Sequence, residues 1–257
     1  MGVDILAEYI NLTPENIDNE HLCCIIRTKT RHSGVEAKRE WLRARLKEGH
    51  IFRKLNEKAT VFIEYAPLET AWAPIVGDNY YYIYCLWVLG EHKGKGYGKE
   101  LLSYCIADAQ KNRKSGICML GADKQKAWLT DTAFAKKFGF EAVDFTDSGY
   151  QLLALSFDKT VPQFKETAKS GEIESRDLTI FYDMQCPYIE KAVKSVEEYC
   201  SKNNIPLNLI LIDSLEKAKS VPCPFNNYAV FYGGKFKTVN LLDIKGIERI
   251  LKQKNKQ

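Results

Sequence analysis

Apolar positions change period several times along the chain, and each change marks an element. Residues 80–89 are an almost unbroken run of Tyr, Ile, Cys, Leu, Trp and Val, the pattern of a strand buried on both faces. Leu101, Leu102, Cys105, Ile106 and Ala109 then recur at helical spacing. Between them lies Lys93-Gly94-Lys95-Gly96-Tyr97-Gly98-Lys99, whose glycines leave backbone amides unobstructed. Upstream, residues 8–12 read as a short strand. Thr13-Pro14-Glu15 suits a helix start, with Thr as N-cap and Pro in the first turn. Ser33-x-x-Glu36 has the form of a capping box and opens a charged helix to about Glu48, with Val35, Leu42 and Leu46 inward and Gly49 as its stop. Residues 50–57 and 59–66 follow as two strands. Residues 67–79, with Trp72 and Pro74, read as a loop at a substrate entrance. Downstream, 117–120 is a buried strand, 127–138 a helix ending in Phe138-Gly139-Phe140, and 141–145 and 150–157 close the sheet.

Residues 158–176 are polar with little periodicity and read as a linker. A second pattern follows. Residues 178–182 form a strand, and Ile189, Ala192, Val193, Val196, Tyr199 and Cys200 trace one helix face. Residues 207–212 form a strand and 214–219 a short helix. Residues 228–232 and 236–239 make a hairpin across Gly233-Gly234, a turn that needs positive φ. Ile244, Ile247, Ile250 and Leu251 mark a last helix. The expected class is α/β (α+β), with a first domain over 1–157, a linker over 158–176 and a smaller domain over 177–257.

Composition narrows the chemistry. The 257 residues suffice for one large or two ordinary domains. A hydrophobic content of 45% and a charged content of 27% are those of a globular protein. No apolar run is long enough for a membrane span, and residues 1–8 lack the pattern of a signal peptide. Eight scattered cysteines read as reduced thiols, which favours a cytoplasmic setting. A net charge of +4 suits a small anionic ligand and is too weak to argue for nucleic acid. His21, His32, His50 and His92 show no metal-ligand spacing and read as surface or loop residues.

A helix that starts at a glycine loop offers free N–H groups and its positive end to phosphate. The loop is neither a Walker loop, since no Gly-Lys-Ser/Thr ends it, nor a Rossmann fingerprint. Lys93-x-x-Gly96-x-Gly98 resembles the acyl-CoA motif of the GNAT acetyltransferase superfamily, with Lys in place of the usual Gln or Arg. Phe138-Gly139-Phe140 resembles that family's terminal Leu-Gly-Phe, and the element order over about residues 4–157 is similar to the GNAT fold with its mixed central sheet.

The resemblance implies an acetyl-CoA-dependent N-acetyltransferase acting on an amine of a small molecule or peptide. It implies pyrophosphate contacts from Lys93, Gly94, Lys95, Gly96, Tyr97, Gly98 and Lys99, and β-type contacts to the pantetheine arm from Leu86, Trp87 and Val88. The thioester carbonyl would take a hydrogen bond from the N–H of Trp87 or Val88. Glu64 is a candidate base, acting directly or through water, or else a strand residue facing solvent. Tyr82 and Tyr84 are candidates to line the acceptor site or to pack in the core. The family's frequent Tyr acid falls on Ala135, so another donor or water would protonate the leaving thiolate. Its Asn before that helix is also absent, with Trp128 and Asp131 in the region.

The second pattern resembles a minimal thioredoxin fold, and the whole resembles bacterial acetyltransferases with a YoaP-like C-terminal domain. Cys186-Pro187-Tyr188-Ile189 sits where thioredoxins and glutaredoxins carry Cys-x-x-Cys, with the second thiol missing. Cys223-Pro224 falls near the cis-proline loop of that fold. A thiol at a helix start has a lowered pKa, so Cys186 is a candidate to pair with Cys223, or to meet a low-molecular-weight thiol, a metal or a soft electrophile; the alternative is a relic fold that packs on the first domain and shapes its substrate mouth. Two further readings stand beside the enzyme: a thiol-redox or electrophile-binding protein with CoA as regulator, and a non-catalytic acyl-CoA-binding module.

Overall fold

The computed structural model describes residues 8–25, 32–124, 126 and 129–252. Residues 1–7 and Trp128 lie outside that set. In chain order the elements are β1 (Tyr9–Asn11), α1 (Ser33–Leu46), β2 (Ile51–Leu55), β3 (Val61–Pro67), β4 (Ile75–Val76) and β5 (Tyr80–Val88), then α2 (Tyr97–Lys111), β6 (Gly116–Ala122), α3 (Thr132–Lys136), β7 (Glu141–Phe145) and β8 (Tyr150–Ser156). β9 (Gln163–Phe164) and α4 (Glu166–Ser170) follow, and then β10 (Leu178–Tyr182), α5 (Ile189–Lys202), β11 (Leu207–Leu211), α6 (Leu215–Ser220), β12 (Tyr228–Tyr232), β13 (Lys235–Thr238) and α7 (Ile244–Lys252).

Seven strands form one sheet in the order β1-β2-β3-β5-β6-β8-β7. Its only parallel pair is β5 with β6, joined by the crossover helix α2. A second sheet has the order β11-β10-β12-β13, with β10 parallel to β11 and the other pairs antiparallel. The β12–β13 turn uses Gly233 and Gly234 at φ +65° and +80°, the conformation a two-residue hairpin requires.

Three apolar clusters hold the chain together. One lies under α2 and α3, with Leu101, Leu102, Cys105 and Ala135 against Ile83 and Met119. A second fills the space between the small sheet, α5 and α7. The third is shared. It joins Trp41, Leu42, Phe52, Tyr82 and Tyr84 to Cys223, Phe225, Ala229 and Phe231, so the large sheet is covered on that face by the second unit.

Four sequence expectations change. The Thr13-Pro14 segment is a run of turns, because Asn16 Oδ1 accepts from the Thr13 N–H and Asn16 Nδ2 donates to the Asn11 carbonyl, which folds it back on β1. The α1 N-cap is His32, with no side-chain cap, and the helix buries Gly34, Lys38, Trp41 and Leu42. Residues 158–176 are no free tether: β9 pairs antiparallel with β4, and Phe164 and Ala168 enter the shared core. Two isolated apolar anchors in a polar stretch leave no periodicity to detect. Residues 67–79 are packed rather than open, with Leu68, Ala71, Trp72, Ala73 and Ile75 all buried, and Lys219 of α6 reaches the carbonyls of Leu68 and Ile75 at 2.8 and 3.1 Å.

Candidate active site

The glycine loop leaves β5 through a 3-10 turn at Gly90–His92. The Lys93 N–H is used there, donating to the Gly90 carbonyl, so the amides left for a ligand are those from Gly94 onward. Gly94 and Gly96 hold φ +78° and +89°, which L side chains avoid, and Gly96 is the N-cap of α2. Tyr97 and Gly98 open the helix, whose first N–H groups have no partner within it. Lys93, Lys95 and Lys99 are exposed around the loop, placing three cations beside the positive end of a helix. Glu100 Oε2 accepts a hydrogen bond from the Tyr9 hydroxyl at 2.6 Å.

Just before the loop the sheet opens. β5 pairs with β6 only from Tyr80–Gly116 to Ile83–Met119, so residues 84–88 keep an unpaired edge on that side. On the other side β5 stays paired with β3 to Val88, with a bulge opposite Glu64 and Tyr65 that admits Tyr84 as an extra residue. The Leu89 N–H donates to the Thr60 carbonyl at 3.0 Å. Antiparallel ladders alternate, so the Trp87 N–H also points at β3, and the N–H groups of Leu86 and Val88 point into the gap. Of the two expected thioester donors, Val88 has the right direction and Trp87 does not.

Glu64 does not face solvent. It is fully buried and accepts hydrogen bonds from Lys38 Nζ at 2.7 Å, Gln185 Nε2 at 2.9 Å and His50 Nε2 at 3.1 Å. Burial pushes its carboxyl up, but the Lys38 ammonium and His50 outweigh this and hold it below the usual carboxylate range. Burial likewise holds His50 below the usual imidazole range, and its Nδ1 has no partner among the described groups. The result is an ionised pair, Lys38 and Glu64, with a neutral histidine beside it. Both Glu64 oxygens are occupied, which sets it against the expected role of a base in direct contact with the amine.

Tyr82 and Tyr84 also turn to the second unit. The Tyr82 hydroxyl donates to Asn226 Oδ1 at 2.8 Å, and Asn226 Nδ2 donates to the Tyr84 carbonyl at 3.4 Å. The Tyr84 hydroxyl accepts from the Trp72 N–H at 2.6 Å. Both rings are buried, so their hydroxyls serve packing and the seam. Tyr84, Cys85 and Trp87 line a narrow cleft of about 30 Å³ at that seam, together with Lys38, Cys23, Cys24, Gln185 and Cys186. A wider hollow of about 460 Å³ lies outside it, lined by Asp18, Glu20, Glu36, Arg39 and Lys54, and Cys23 borders both.

Ala135 is fully buried in the α2 cluster, so that position supplies no acid. Asp131 is the N-cap of α3, accepting from the N–H groups of Ala133 and Phe134. Cys186 departs from the expected low pKa: burial pushes it up to about 12, against the opposing hydrogen bond from the Tyr188 N–H. Desolvation is the largest cause, and α5 itself begins only at Ile189. Cys223 is buried in the shared core and does not line the Cys186 cleft, and no peptide bond among the described residues is cis. All eight cysteines are free thiols. Among the described residues no three His, Cys, Asp or Glu side chains form a metal-binding group, and no helix is long and apolar enough to cross a membrane.

Sequence reasoning missed Lys38, His50, Gln185 and Asn226. One of them left a signal, and Glu64 left another for its partners. Glu64 is a lone charge in the run Val61–Ala66, which implies a buried partner. Lys38 lies on the same helical face as Gly34, Trp41 and Leu42. Gln185 and Asn226 meet their partners across 121 and 144 residues, and no local pattern encodes that.

Residues 16–140 match the acetyltransferase (GNAT) family and residues 206–249 the YoaP-like family. The chain is 37% identical over 245 residues to the uncharacterized N-acetyltransferase YoaP of Bacillus subtilis (strain 168), covering 95% of this chain and 98% of that protein. Among solved structures, a GNAT family acetyltransferase from Brucella melitensis in complex with acetyl-CoA aligns at 17% identity and a TM-score of 0.40, over 62% of this chain and 92% of that one. A putative GNAT acetyltransferase from Desulfovibrio desulfuricans aligns at 13% identity and a TM-score of 0.44, over 58% and 98%. An identity of 37% along nearly the whole of both chains, with both family matches in order, makes the chain a member of the GNAT N-acetyltransferase family that carries a YoaP-like C-terminal region.

Proposed function

We propose that the protein transfers the acetyl group of acetyl-CoA directly to an amine of a small molecule or peptide, in a ternary complex. The observation that carries this is the end of β5–β6 pairing at Ile83–Met119, which frees the N–H groups of Leu86 and Val88 immediately before the glycine loop. The amides of Gly94, Lys95, Gly96, Tyr97, Gly98 and Lys99 hold the pyrophosphate, and Lys93, Lys95 and Lys99 add charge. The pantetheine arm lies along Leu86–Val88 as an added strand. The Val88 N–H meets the negative charge that develops on the thioester oxygen, a contact worth about 10²–10³ in rate.

The acceptor enters from the hollow beside Cys23, and Leu86–Val88 present the acetyl carbon to it at the free edge of β5. The hollow has the size of a small-molecule site, so it admits a compact amine or a chain end. A free alkylamine has a pKa near ~10, so the reacting fraction is the neutral one, and its proton leaves through water in the hollow. Glu64 acts through Lys38, Gln185 and His50 as an anchor of the cleft wall. We read residues 1–157 as the catalytic domain and 177–257 as a thioredoxin-like domain that closes the acceptor side, with 158–176 strapped between them. Eight unpaired thiols fit a cytoplasmic protein.

The test is calorimetric titration with CoA, followed by thiol release from acetyl-CoA over a panel of amines. Binding with turnover on at least one amine is expected. Absence of CoA binding refutes the cofactor site, and binding without turnover on any amine leaves an acyl-CoA-binding module instead.

A further inference from the structure

The seam cleft has a chemistry that acetyl transfer does not use. Four of its lining residues are cysteines: Cys23 and Cys24 from the loop before α1, Cys85 from β5, and Cys186 from the junction of β10 and α5. With eight cysteines in 257 residues, the twelve residues lining the cleft would contain fewer than one by chance. The other four, Cys105, Cys118, Cys200 and Cys223, are fully buried in the apolar cores.

We propose that this cleft binds a neutral, thiol-seeking trivalent metalloid hydroxide, of which arsenous acid is the simplest, through Cys186 and at least one of Cys23, Cys24 and Cys85. The reading stands apart from acetyl transfer, because it rests on the sulfur groups and not on the β5 edge. Size is the first reason. About 30 Å³ accommodates one or two water-sized groups, far below the space a metabolite needs, and it fits a single heavy atom with a hydroxyl.

Charge is the second. The Lys38 ammonium is already paired with Glu64 at 2.7 Å, so it offers little to a thiolate. Burial pushes Cys186 up to about 12 and Cys24 up to about 11, and holds Cys85 well above its ordinary value. The thiols are therefore protonated at neutral pH. A divalent cation would have to displace two protons and bring its own charge into apolar surroundings. The neutral hydroxide brings no charge, and its own hydroxyls carry the two thiol protons away as water. In the exchange As(OH)3 + 2 RSH → (RS)2AsOH + 2 H2O, two As–O bonds break and two As–S bonds form. The thiol protons leave as water, and no oxidation state changes. The described residues also hold no three-ligand cation cluster, whereas this exchange asks for only two thiols.

The experiment uses the reduced, full-length protein with sodium arsenite. Native mass spectrometry is expected to show one arsenic per chain, and arsenic-edge X-ray absorption is expected to show sulfur ligands. Cys186→Ser should weaken retention about 10²-fold or more, because the second thiol of a chelate acts at high effective concentration. Cys200→Ser should leave it unchanged. In the unaltered protein, arsenite should shield Cys186 from iodoacetamide, a readout that does not depend on the variant folding. The proposal is overturned by oxygen-only ligation, by an unshielded Cys186, by retention that survives Cys186→Ser, or by cadmium(II) binding the same thiols more tightly than arsenite. None of these readouts depends on acetyl transfer, so loss of one assignment leaves the other testable.

Discussion

Replacing Lys38 with methionine should cost about 3–5 kcal/mol of stability, since it leaves an ionised Glu64 buried without its cation. The two groups are 2.7 Å apart, with side-chain exposures of 3% and 0%, so water cannot take over the charge. His50 is neutral in the native protein because burial and Lys38 lower its pKa, so it starts without a charge to offer, and Gln185 is only a neutral donor at 2.9 Å. At about 2–4 °C per kcal/mol for a protein of this size, the Tm should fall by about 6–20 °C. The double variant Lys38→Met/Glu64→Gln removes both charges and keeps an oxygen for Gln185 or His50, so it should melt above Lys38→Met. Calorimetric melts of the two single variants and the double variant measure the coupling. The reasoning fails if Lys38→Met costs less than about 1 kcal/mol, the scale of an exposed pair, or if the double variant loses the sum of the singles. The same set reports on chemistry: a fall in turnover of about 10²–10⁴ on Glu64→Gln, with acetyl-CoA binding intact, would make Glu64 the base after all.

Asn226→Ala should cost about 1–3 kcal/mol in urea unfolding, because the buried Tyr82 hydroxyl loses its acceptor, and adding Tyr82→Phe should recover part of that loss. Gly96→Ala should cost about 1–2 kcal/mol, since φ of +89° is strained for any side chain, and calorimetry should show weaker CoA binding. His21 is held neutral by burial and by Lys54, which lower its pKa to about 4. Between about 4 and 6.5 the unfolded chain binds a proton that the native chain does not, so stability should drop as pH falls through that window; His21→Asn should flatten the drop in a Tm series.

The catalytic half was legible where function and backbone coincide. The run at 80–89, the glycines at 94–98 and the helical spacing from Leu101 are local patterns, and each formed as read. What stayed hidden depends on the chain meeting itself. Glu64 looked like a strand residue open to water because its partners come from α1, from the start of β2 and from residue 185. The thiol at Cys186 looked activated because its place before a helix was visible, whereas the seam cleft it lines with Cys23, Cys24 and Cys85 was not. Residues 158–176 looked like a free linker because they bury only two isolated apolar anchors, Phe164 and Ala168, and residues 67–79 looked open because their burial follows no helix or strand period.

The shared core also sets an order of events during synthesis. Trp41, Phe52, Tyr82 and Tyr84 are finished by the ribosome long before Phe225 and Phe231, which cover them in the native protein. At ordinary elongation speeds of about 5–20 residues per second, translating residues 157–239 takes on the order of 4–16 s. For that interval the nascent sheet carries a bare aromatic face, the kind of surface that holding chaperones grip.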